Sequence, residues 1–250
     1  MAAERRDGVQ VLSRAALLLR ELSTAPEGLT PIALADRVGL PRSTCYRIVG
    51  SLCQEGLMRL APSGKLHIGA GLISIAAAVR RELRHEAGPY LKKLSHELHE
   101  TVELVVLEGE EALFTDQYVP QRALRVVAEV GDRFPLYCTA CGKALLAELE
   151  PEEAERLVPE RIEPLTSHTI VDRRALFAEI DEVRATGVAF DREEHTLGVS
   201  AVGTALLDAG GALAAITVAM PAARLEGQEE RICVALLRAR DDIQRVINAG

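Results

Sequence analysis

Residues 30–57 have the sequence TPIALADRVGLPRSTCYRIVGSLCQEGL, which predicts two short helices joined by a tight turn. The first helix is expected over residues 31–38. Thr30 can cap the free backbone N–H groups at its start, and Pro31 suits the first helical position. The helix should end at Gly39, since glycine readily adopts the backbone conformation of a sharp turn.

A second helix is expected from about Arg42 to about Leu57. Its apolar residues recur at helical spacing, as at Ile48 and Leu52, and Gly56 is typical of a helix end. A short helix, a glycine-containing turn and a second helix together form the helix-turn-helix pattern.

The segments on either side complete a small domain. Residues 9–22 carry apolar side chains at helical spacing and predict a preceding helix. Residues 57–60 and 65–68 predict two short strands around the turn-forming residues 61–64. A hairpin directly after a helix-turn-helix is a wing, so the sequence predicts a winged helix-turn-helix.

The start of the second helix has the chemistry of a DNA-binding surface. A recognition helix places its first residues at base edges and phosphates in the major groove. Arginine can bind guanine or phosphate, and hydroxyl groups can donate to phosphate oxygens. The candidate DNA contacts are Arg42, Ser43, Thr44, Tyr46 and Arg47 on the helix, and Arg59, Ser63, Lys65 and His67 at the wing.

The charge distribution supports this division of the chain. The net charge of the 250 residues is −8, which by itself argues against nucleic acid. Residues 1–68 hold nine Lys/Arg and six Asp/Glu, whereas residues 69–250 hold twenty and thirty-one. A basic module joined to an acidic body is therefore expected.

Several other classes of protein lack their signals here. No apolar run reaches the roughly 18–20 residues of a membrane span, and the N-terminus lacks the apolar core of a signal peptide. The five cysteines are an odd number, which suits a reducing compartment, so a cytoplasmic protein is expected. The sequence also lacks a P-loop, a dinucleotide-binding fingerprint and a nucleophile elbow. We therefore expect no enzyme, no cofactor and no metal.

The rest of the chain predicts a second domain of the α+β class, because strands and helices mix without strict alternation. A linker helix is expected over residues 69–86, and a separate helix over 87–100. The other predicted elements are hairpins over 101–118 and 199–220, a strand over 124–129, and helices over 143–149, 151–157, 173–186 and 228–248.

Five segments resemble the IclR family of bacterial transcriptional regulators, in family order and spacing. They are residues 8–15, 40–47, 55–57, 135–144 and 191–199. The resemblance implies a winged helix-turn-helix over 8–68, a linker helix over 69–86 and a GAF-like effector-binding and oligomerisation domain over 87–250. It also implies a homodimer or homotetramer on a palindromic operator in double-stranded DNA. The expected function is regulation, most simply repression, that responds to a small organic molecule.

Three stretches are the candidate effector site. Thr139 can cap a helix that begins near Ala140, and a helix N-terminus suits a carboxylate or a phosphate, which favours an organic acid. Asp191 ends a short predicted strand. The resemblance adds pocket positions at Ala201, Thr217 and Ala219, and Cys141 belongs to the capped segment. The family's small-oxoacid sensors carry Cys and Ser where this chain has Ala201 and Ala219, which favours a larger or less polar ligand.

Three alternatives remain open at this stage. Cys138 and Cys141 have the C-x-x-C spacing of a redox pair, so the chain could be a thiol-based sensor in which the helix N-terminus lowers a thiol pKa. The cysteines could also join the acidic residues around His195 in a metal cluster. Finally, the N-terminal module could serve assembly only, in a small-molecule-binding protein.

Overall fold

A computed structural model describes residues 10–208 and 211–249, with only the backbone at 212 and 213. The expected helix start at Val9, the domain start at Gly8 and the turn at 209–210 lie outside the described residues. The chain divides between Arg80 and Arg81 into two compact units, each of which is described by itself.

The N-terminal unit contains the predicted helix-turn-helix and wing. Its elements are α1 (Gln10–Ser23), α2 (Pro31–Arg37), α3 (Arg42–Gln54), β1 (Met58–Leu60), β2 (Leu66–Ile68) and the start of α4 (Gly71–Leu98). One apolar core joins the three helices to the hairpin, and Leu18, Leu34 and Cys45 lie fully buried in it.

Local chemistry sets the boundaries of these helices as the sequence predicts. The hydroxyl oxygen of Thr30 accepts a hydrogen bond from the backbone N–H of Ala33 at 3.2 Å, which caps α2. Gly39 has a φ of +65°, and the N–H of Leu40 donates to the carbonyl of Ala35 at 3.0 Å. This left-handed turn reverses the chain between α2 and α3.

The hairpin β1–β2 is antiparallel and pairs Arg59 with His67. It is tied to the helices by Leu66, whose backbone exchanges two hydrogen bonds with that of Leu29. The wing is therefore a hairpin of two short strands, held against the helical core through its second strand.

Helix α4 corrects one prediction. The sequence predicted a linker helix over 69–86 and a separate helix over 87–100, but Gly71–Leu98 is one continuous helix with Pro89 inside it. The buried residues Leu83, Ala87, Leu91, Leu94 and Leu98 recur every three or four positions along this stretch. This continuous apolar stripe keeps the chain helical across the proline, although proline cannot donate a backbone hydrogen bond.

The C-terminal unit is a six-stranded antiparallel sheet with helices on both faces, which confirms the α+β prediction. The strand order is β5-β4-β3-β8-β7-β6. After α4 the elements are β3 (Thr101–Glu108), β4 (Glu111–Tyr118), β5 (Arg133–Pro135), α5 (Ala140–Ala147), α6 (Pro151–Leu157), α7 (Arg173–Thr186), β6 (Ala189–Arg192), β7 (Val199–Asp208), β8 (Gly211–Pro221), a 3-10 turn (Ala222–Arg224) and α8 (Glu229–Ile247).

Alternating residues of β3 pack into the cores on the two faces of this sheet. Val102, Leu104 and Val106 join the core beneath α4 and α8. Val105 joins the other core, beneath α5 and α7. Strand β3 is therefore buried on both sides. The antiparallel pairing of β3 with β4 and of β7 with β8 confirms the two predicted hairpins.

The strand predicted over 124–129 is wrong. Residues 125–129 have no regular secondary structure, and a strand forms at Arg133–Pro135 instead. The hydroxyl of Thr101 donates to the carbonyl oxygen of Val126 at 2.5 Å and holds this segment beside the sheet.

Candidate functional site

A cavity of about 190 Å³ lies in the C-terminal unit, on the side of the sheet that α5 covers. The structure brings all seven predicted effector residues to this cavity: Thr139, Ala140, Cys141, Asp191, Ala201, Thr217 and Ala219. They come from the N-terminus of α5 and from β6, β7 and β8. Residues that are far apart in the chain thus share one site.

The sequence prediction missed several residues that line the same cavity. They are Glu103, Phe114, Val126, Val127, Ala128, Phe134, His195, Thr196 and Val199. The charged residue among them was detectable in principle, because Glu103 stands in the apolar strand sequence Thr-Val-Glu-Leu-Val-Val. The contributions of the irregular segment 126–128 depend on tertiary structure and have no local signal.

The N-terminus of α5 reaches the cavity because two glycines allow close packing. Thr139 caps the helix, since its hydroxyl oxygen accepts from the N–H of Gly142 at 3.2 Å and its O–H donates to Pro135 at 2.8 Å. A side chain on Gly142 would collide with the backbone of Leu136. On β7, a Cβ on Gly203 would lie 2.9 Å from the backbone of Ala140.

Glu103 is a buried carboxyl group on the cavity wall. It is 4% exposed, and it accepts a hydrogen bond at 3.0 Å from the hydroxyl of Thr217 on the adjacent strand. Burial raises its pKa to about 7, and the hydrogen bond from Thr217 opposes that shift only in part. Near neutral pH this group can therefore either accept or release a proton.

Asp191 is the second buried carboxyl group of the cavity, and it is 5% exposed. It accepts hydrogen bonds from the backbone N–H groups of Glu194 at 2.8 Å and His195 at 3.4 Å. Burial raises its pKa to about 7, and the nearby charge of Glu194 adds to this effect, against the hydrogen bonds and Lys143.

A buried ion-pair network lies next to Asp191 and does not line the cavity. The ammonium group of Lys143, which is fully buried, contacts Glu179 at 2.5 Å and Glu194 at 2.6 Å. One oxygen of Glu194 has no hydrogen-bond partner among the described residues. Because Glu194 also donates its backbone N–H to Asp191, this network holds the loop that carries the carboxyl group.

Aromatic rings form part of the cavity wall. The ring of Phe134 contacts Phe114 edge-on, with 4.7 Å between the centroids, and stacks on His195 at 4.3 Å. Burial lowers the pKa of His195, so the imidazole is neutral at neutral pH. The described residues that line the cavity include no lysine and no arginine.

The described lining residues offer no lysine or arginine to pair with the organic acid expected from the sequence. A ligand carboxylate would lie near two carboxyl groups and a neutral imidazole. The helix N-terminus that suggested an anion already donates one N–H to Thr139.

The two thiols of the C-x-x-C segment are also unlike those of a reactive pair. Cys138 and Cys141 are both free and buried. Burial raises the pKa of both thiols, that of Cys141 to about 12, so the expected lowering by the helix N-terminus is wrong. Since the thiolate is the nucleophile, these cysteines are chemically inert near neutral pH. Within the described ranges no group of three metal-ligating side chains could hold an ion.

The candidate DNA-binding residues lie in the N-terminal unit, on α3 and the wing. Arg42, Ser43, Tyr46 and Arg47 are exposed on α3, and Thr44 is half-buried. At the wing, Arg59 and Ser63 are exposed, whereas Lys65 and His67 are half-buried.

Spacing along α3 places the polar residues on one face. Ser43, Tyr46 and Arg47 are three or four positions apart, and the exposed Gly50 continues the same face. Tyr46 leaves 49% of its surface exposed, although an aromatic ring on a monomeric surface normally packs. Arg42 makes one exposed ion pair, at 3.7 Å, with Asp36 of α2.

A regulator with a helix-turn-helix module and a ligand cavity is the class of protein that these two units define. Two family models match the chain: the IclR helix-turn-helix domain over residues 11–61, and the bacterial transcriptional regulator IclR C-terminal domain over residues 75–245. The chain belongs to the IclR family of bacterial transcriptional regulators.

Relatives and a solved structure agree with this assignment. The chain is 46% identical to the HTH-type transcriptional regulator Rv1719 of Mycobacterium tuberculosis, over 95% of this chain and 93% of that protein. It is 39% identical to the HTH-type transcriptional regulator TtgV of Pseudomonas putida, over 96% and 92%. The crystal structure of the Thermotoga maritima IclR is 25% identical, with a TM-score of 0.63 over 96% of this chain and 99% of that one. The two curated relatives are thus both named as HTH-type transcriptional regulators.

Across residues 10–208 and 211–249, no helix is long and apolar enough to cross a membrane.

Proposed function

We propose that this chain is a ligand-responsive transcriptional regulator that binds a palindromic operator in double-stranded DNA and acts as a repressor in the cytoplasm. The observation that carries the proposal is the exposed face of α3, where Arg42, Ser43, Tyr46 and Arg47 stand together at the start of a recognition helix. Repression is the simplest outcome, because a protein on an operator excludes other proteins from the same DNA.

The face of α3 supplies both kinds of contact that a regulator needs. Arg42 and Arg47 carry charge for phosphates or guanine, and the hydroxyl groups of Ser43 and Tyr46 can donate to phosphate oxygens. Arg59, Ser63, Lys65 and His67 belong to the wing, and we assign them to the flanking DNA backbone. A module that served assembly only would not need an exposed basic helix start.

Exposed apolar residues in the N-terminal unit support a homo-oligomer. On α1, Leu12 is 67% exposed, and on the first turns of α4, Ile73 is 71% and Ile75 52% exposed. Side chains of this kind are normally buried, so two copies would cover them. Light scattering after gel filtration should show a homodimer or a homotetramer, and a monomer at micromolar concentration would contradict this part of the proposal.

The DNA contacts can be tested without knowing the operator in advance. Sheared genomic DNA of the source organism, enriched by repeated rounds of binding, supplies the probe for gel shifts. Replacing both Arg42 and Arg47 by Ala should weaken binding and lower the slope of log K against log salt by about 0.9 for each phosphate that is no longer neutralised. Unchanged binding and slope would refute the assignment of α3.

A matched variant separates the DNA contact from general charge. Arg161 and Arg174 are exposed in the other unit, so replacing both by Ala removes the same two charges away from the recognition helix. This variant should keep both the affinity and the salt dependence of the wild type.

The regulatory step would be a difference in effector affinity between the DNA-bound and the free states, because a ligand that binds both equally shifts neither. An effector in the cavity should therefore change operator binding. A reporter gene controlled by the operator should show whether the regulator represses or activates expression. Loss of reporter expression on deleting the regulator would indicate an activator and contradict repression.

The redox alternative has little support, since both thiols of the C-x-x-C segment are buried and protonated. If Cys138 and Cys141 were a sensor, replacing both by Ser would abolish a response of DNA binding to peroxide. We expect the wild type and this variant to behave alike.

A further inference from the structure

We propose that the cavity takes a small organic amine, whose ammonium group pairs with the buried carboxyl group of Glu103 in the cavity that Asp191 also lines, and whose apolar body contacts Phe114 and Phe134. This inference rests on the proposed effector function of the same cavity. It names the chemical class of the ligand, which differs from the organic acid that the sequence suggested.

The charge of the cavity is the first argument. Glu103 and Asp191 are both at least nine-tenths buried, and both line the cavity. The described lining residues offer them no lysine or arginine. A buried carboxylate without a cation is costly, so an ammonium group from a ligand would supply what the protein itself leaves out.

The buried lysine beside the cavity, Lys143, cannot take this role. Lys143 is fully buried, and its ammonium group is held at 2.5–2.6 Å by Glu179 and Glu194. It therefore neutralises two other carboxylates, and its charge opposes the raised pKa of Asp191 only in part. Glu103 is left with the hydroxyl of Thr217 as its hydrogen-bonding partner on β8.

The remaining walls define the rest of the ligand. Phe114 and Phe134 present aromatic surface, and an ammonium or the methylene beside it is attracted to aromatic faces. Ala140, Ala201 and Ala219 form a small apolar cluster that also lines the cavity. A cavity of about 190 Å³ is smaller than the roughly 300–1,000 Å³ of pockets for drug-sized ligands, which favours a compact molecule with a single ring.

Proton linkage follows from the same arrangement. Thr217 donates a hydrogen bond to Glu103, and Glu194, Lys143 and the backbone of His195 act on Asp191. The charges of these carboxyl groups also act on the buried thiols: Asp191 on Cys138, and both Glu103 and Asp191 on Cys141. With a pKa of about 7 raised by burial, each carboxyl group is partly protonated when the cavity is empty. An amine binds the ionised form, so its affinity should rise with pH and a proton should be released on binding.

Three ligands of nearly equal shape test the proposal: benzylamine, benzyl alcohol and benzoate. Titration calorimetry of the full chain should show binding of benzylamine, weaker binding of the alcohol and none of benzoate. For one carboxyl group with a pKa of about 7, the affinity for the amine should fall about tenfold between about pH 8 and about pH 6. Buffers of different ionisation enthalpy should report the released proton.

Two variants and a control locate the effect. Glu103→Gln keeps the shape and the acceptor for Thr217, and should weaken benzylamine at least tenfold while leaving benzyl alcohol within about twofold. Asp191→Asn provides a second, independent removal of charge if the first variant does not fold. Glu110→Gln, at an exposed turn outside the cavity, should bind like the wild type.

The outcomes separate this inference from the proposed function. Tighter binding of benzoate or of the alcohol than of benzylamine, or no binding of benzylamine, would overturn the amine proposal. If benzoate or the alcohol also shifts operator binding in the gel assay, the effector function would stand without it. If benzylamine binds in a Glu103-dependent way but leaves operator binding unchanged, the ligand class would stand and the effector function would fail.

Discussion

Replacing Lys143 by Met should strongly destabilise the C-terminal unit. The lysine side chain is 0% exposed, and its two carboxylate partners, Glu194 and Glu179, are 6% and 28% exposed. Methionine fills similar volume but leaves Glu194 as a buried charge without a cation. Breaking a buried pair in this way costs about 3–5 kcal/mol. For a domain of this size, such a change lowers Tm by roughly 6–20 °C.

Urea unfolding followed by circular dichroism measures this destabilisation, and pH tests its cause. Burial raises the pKa of Glu194, and removing Lys143 takes away the main opposing charge. The folded variant should therefore take up a proton more readily, and its deficit should shrink as the pH falls from about 8 to about 5. The double variant with Glu194→Gln should recover part of the stability at pH 8. A deficit below about 1 kcal/mol, or one independent of pH, would refute this account of the network.

Two further perturbations test the cavity wall. Gly203→Ala should lower the free energy of unfolding by about 1–3 kcal/mol, because its Cβ would lie 2.8 Å from Thr217 and 2.9 Å from Ala140. Since both of these residues line the cavity, the variant should also abolish the binding of benzylamine. Gly50→Ala on α3 is the control, since a Cβ at this position would meet nothing within 4 Å. In urea melts this variant should leave the free energy of unfolding unchanged or raise it by about 1 kcal/mol. Glu103→Gln should stabilise the chain above neutral pH, because the pKa of Glu103 is raised from 4.5 to about 7 in the folded state. Ionisation of this carboxyl group then lowers the free energy of unfolding by up to about 3 kcal/mol. The full cost is present above about pH 7, and it is absent below about pH 4.5. Equal stability of this variant and the wild type at about pH 8 would contradict the burial of that charge.

Local sequence determined the N-terminal unit almost completely. The cap at Thr30, the proline after it and the left-handed Gly39 each act within a few residues of their position in the chain. Helix starts, tight turns and short hairpins depend on such neighbouring contacts, and the predicted boundaries agree with the structure to within about three residues. The same holds for α6 and α7, whose predicted ranges are identical to those observed.

Helix α4 and the segment 124–129 show where local rules fail. The sequence predicted a break between residues 86 and 87, but burial of one long apolar stripe against the sheet outweighs the backbone hydrogen bond that Pro89 cannot donate. Residues 124–129 have strand-forming side chains. Their backbone is nevertheless held by Thr101, and β5 takes the edge of the sheet.

The sequence by itself predicted the helix-turn-helix and wing of the first unit, the polar residues exposed on α3, and seven residues that meet in one cavity of the second. Only the tertiary structure decided the chemistry of that cavity. Glu103 reaches it because β3 pairs with β8 beside Thr217, and Phe134 reaches it because β5 joins the edge of the sheet. The pKa values of the two carboxyl groups depend on how completely the fold removes water from them, and that burial is set by contacts between residues far apart in the chain.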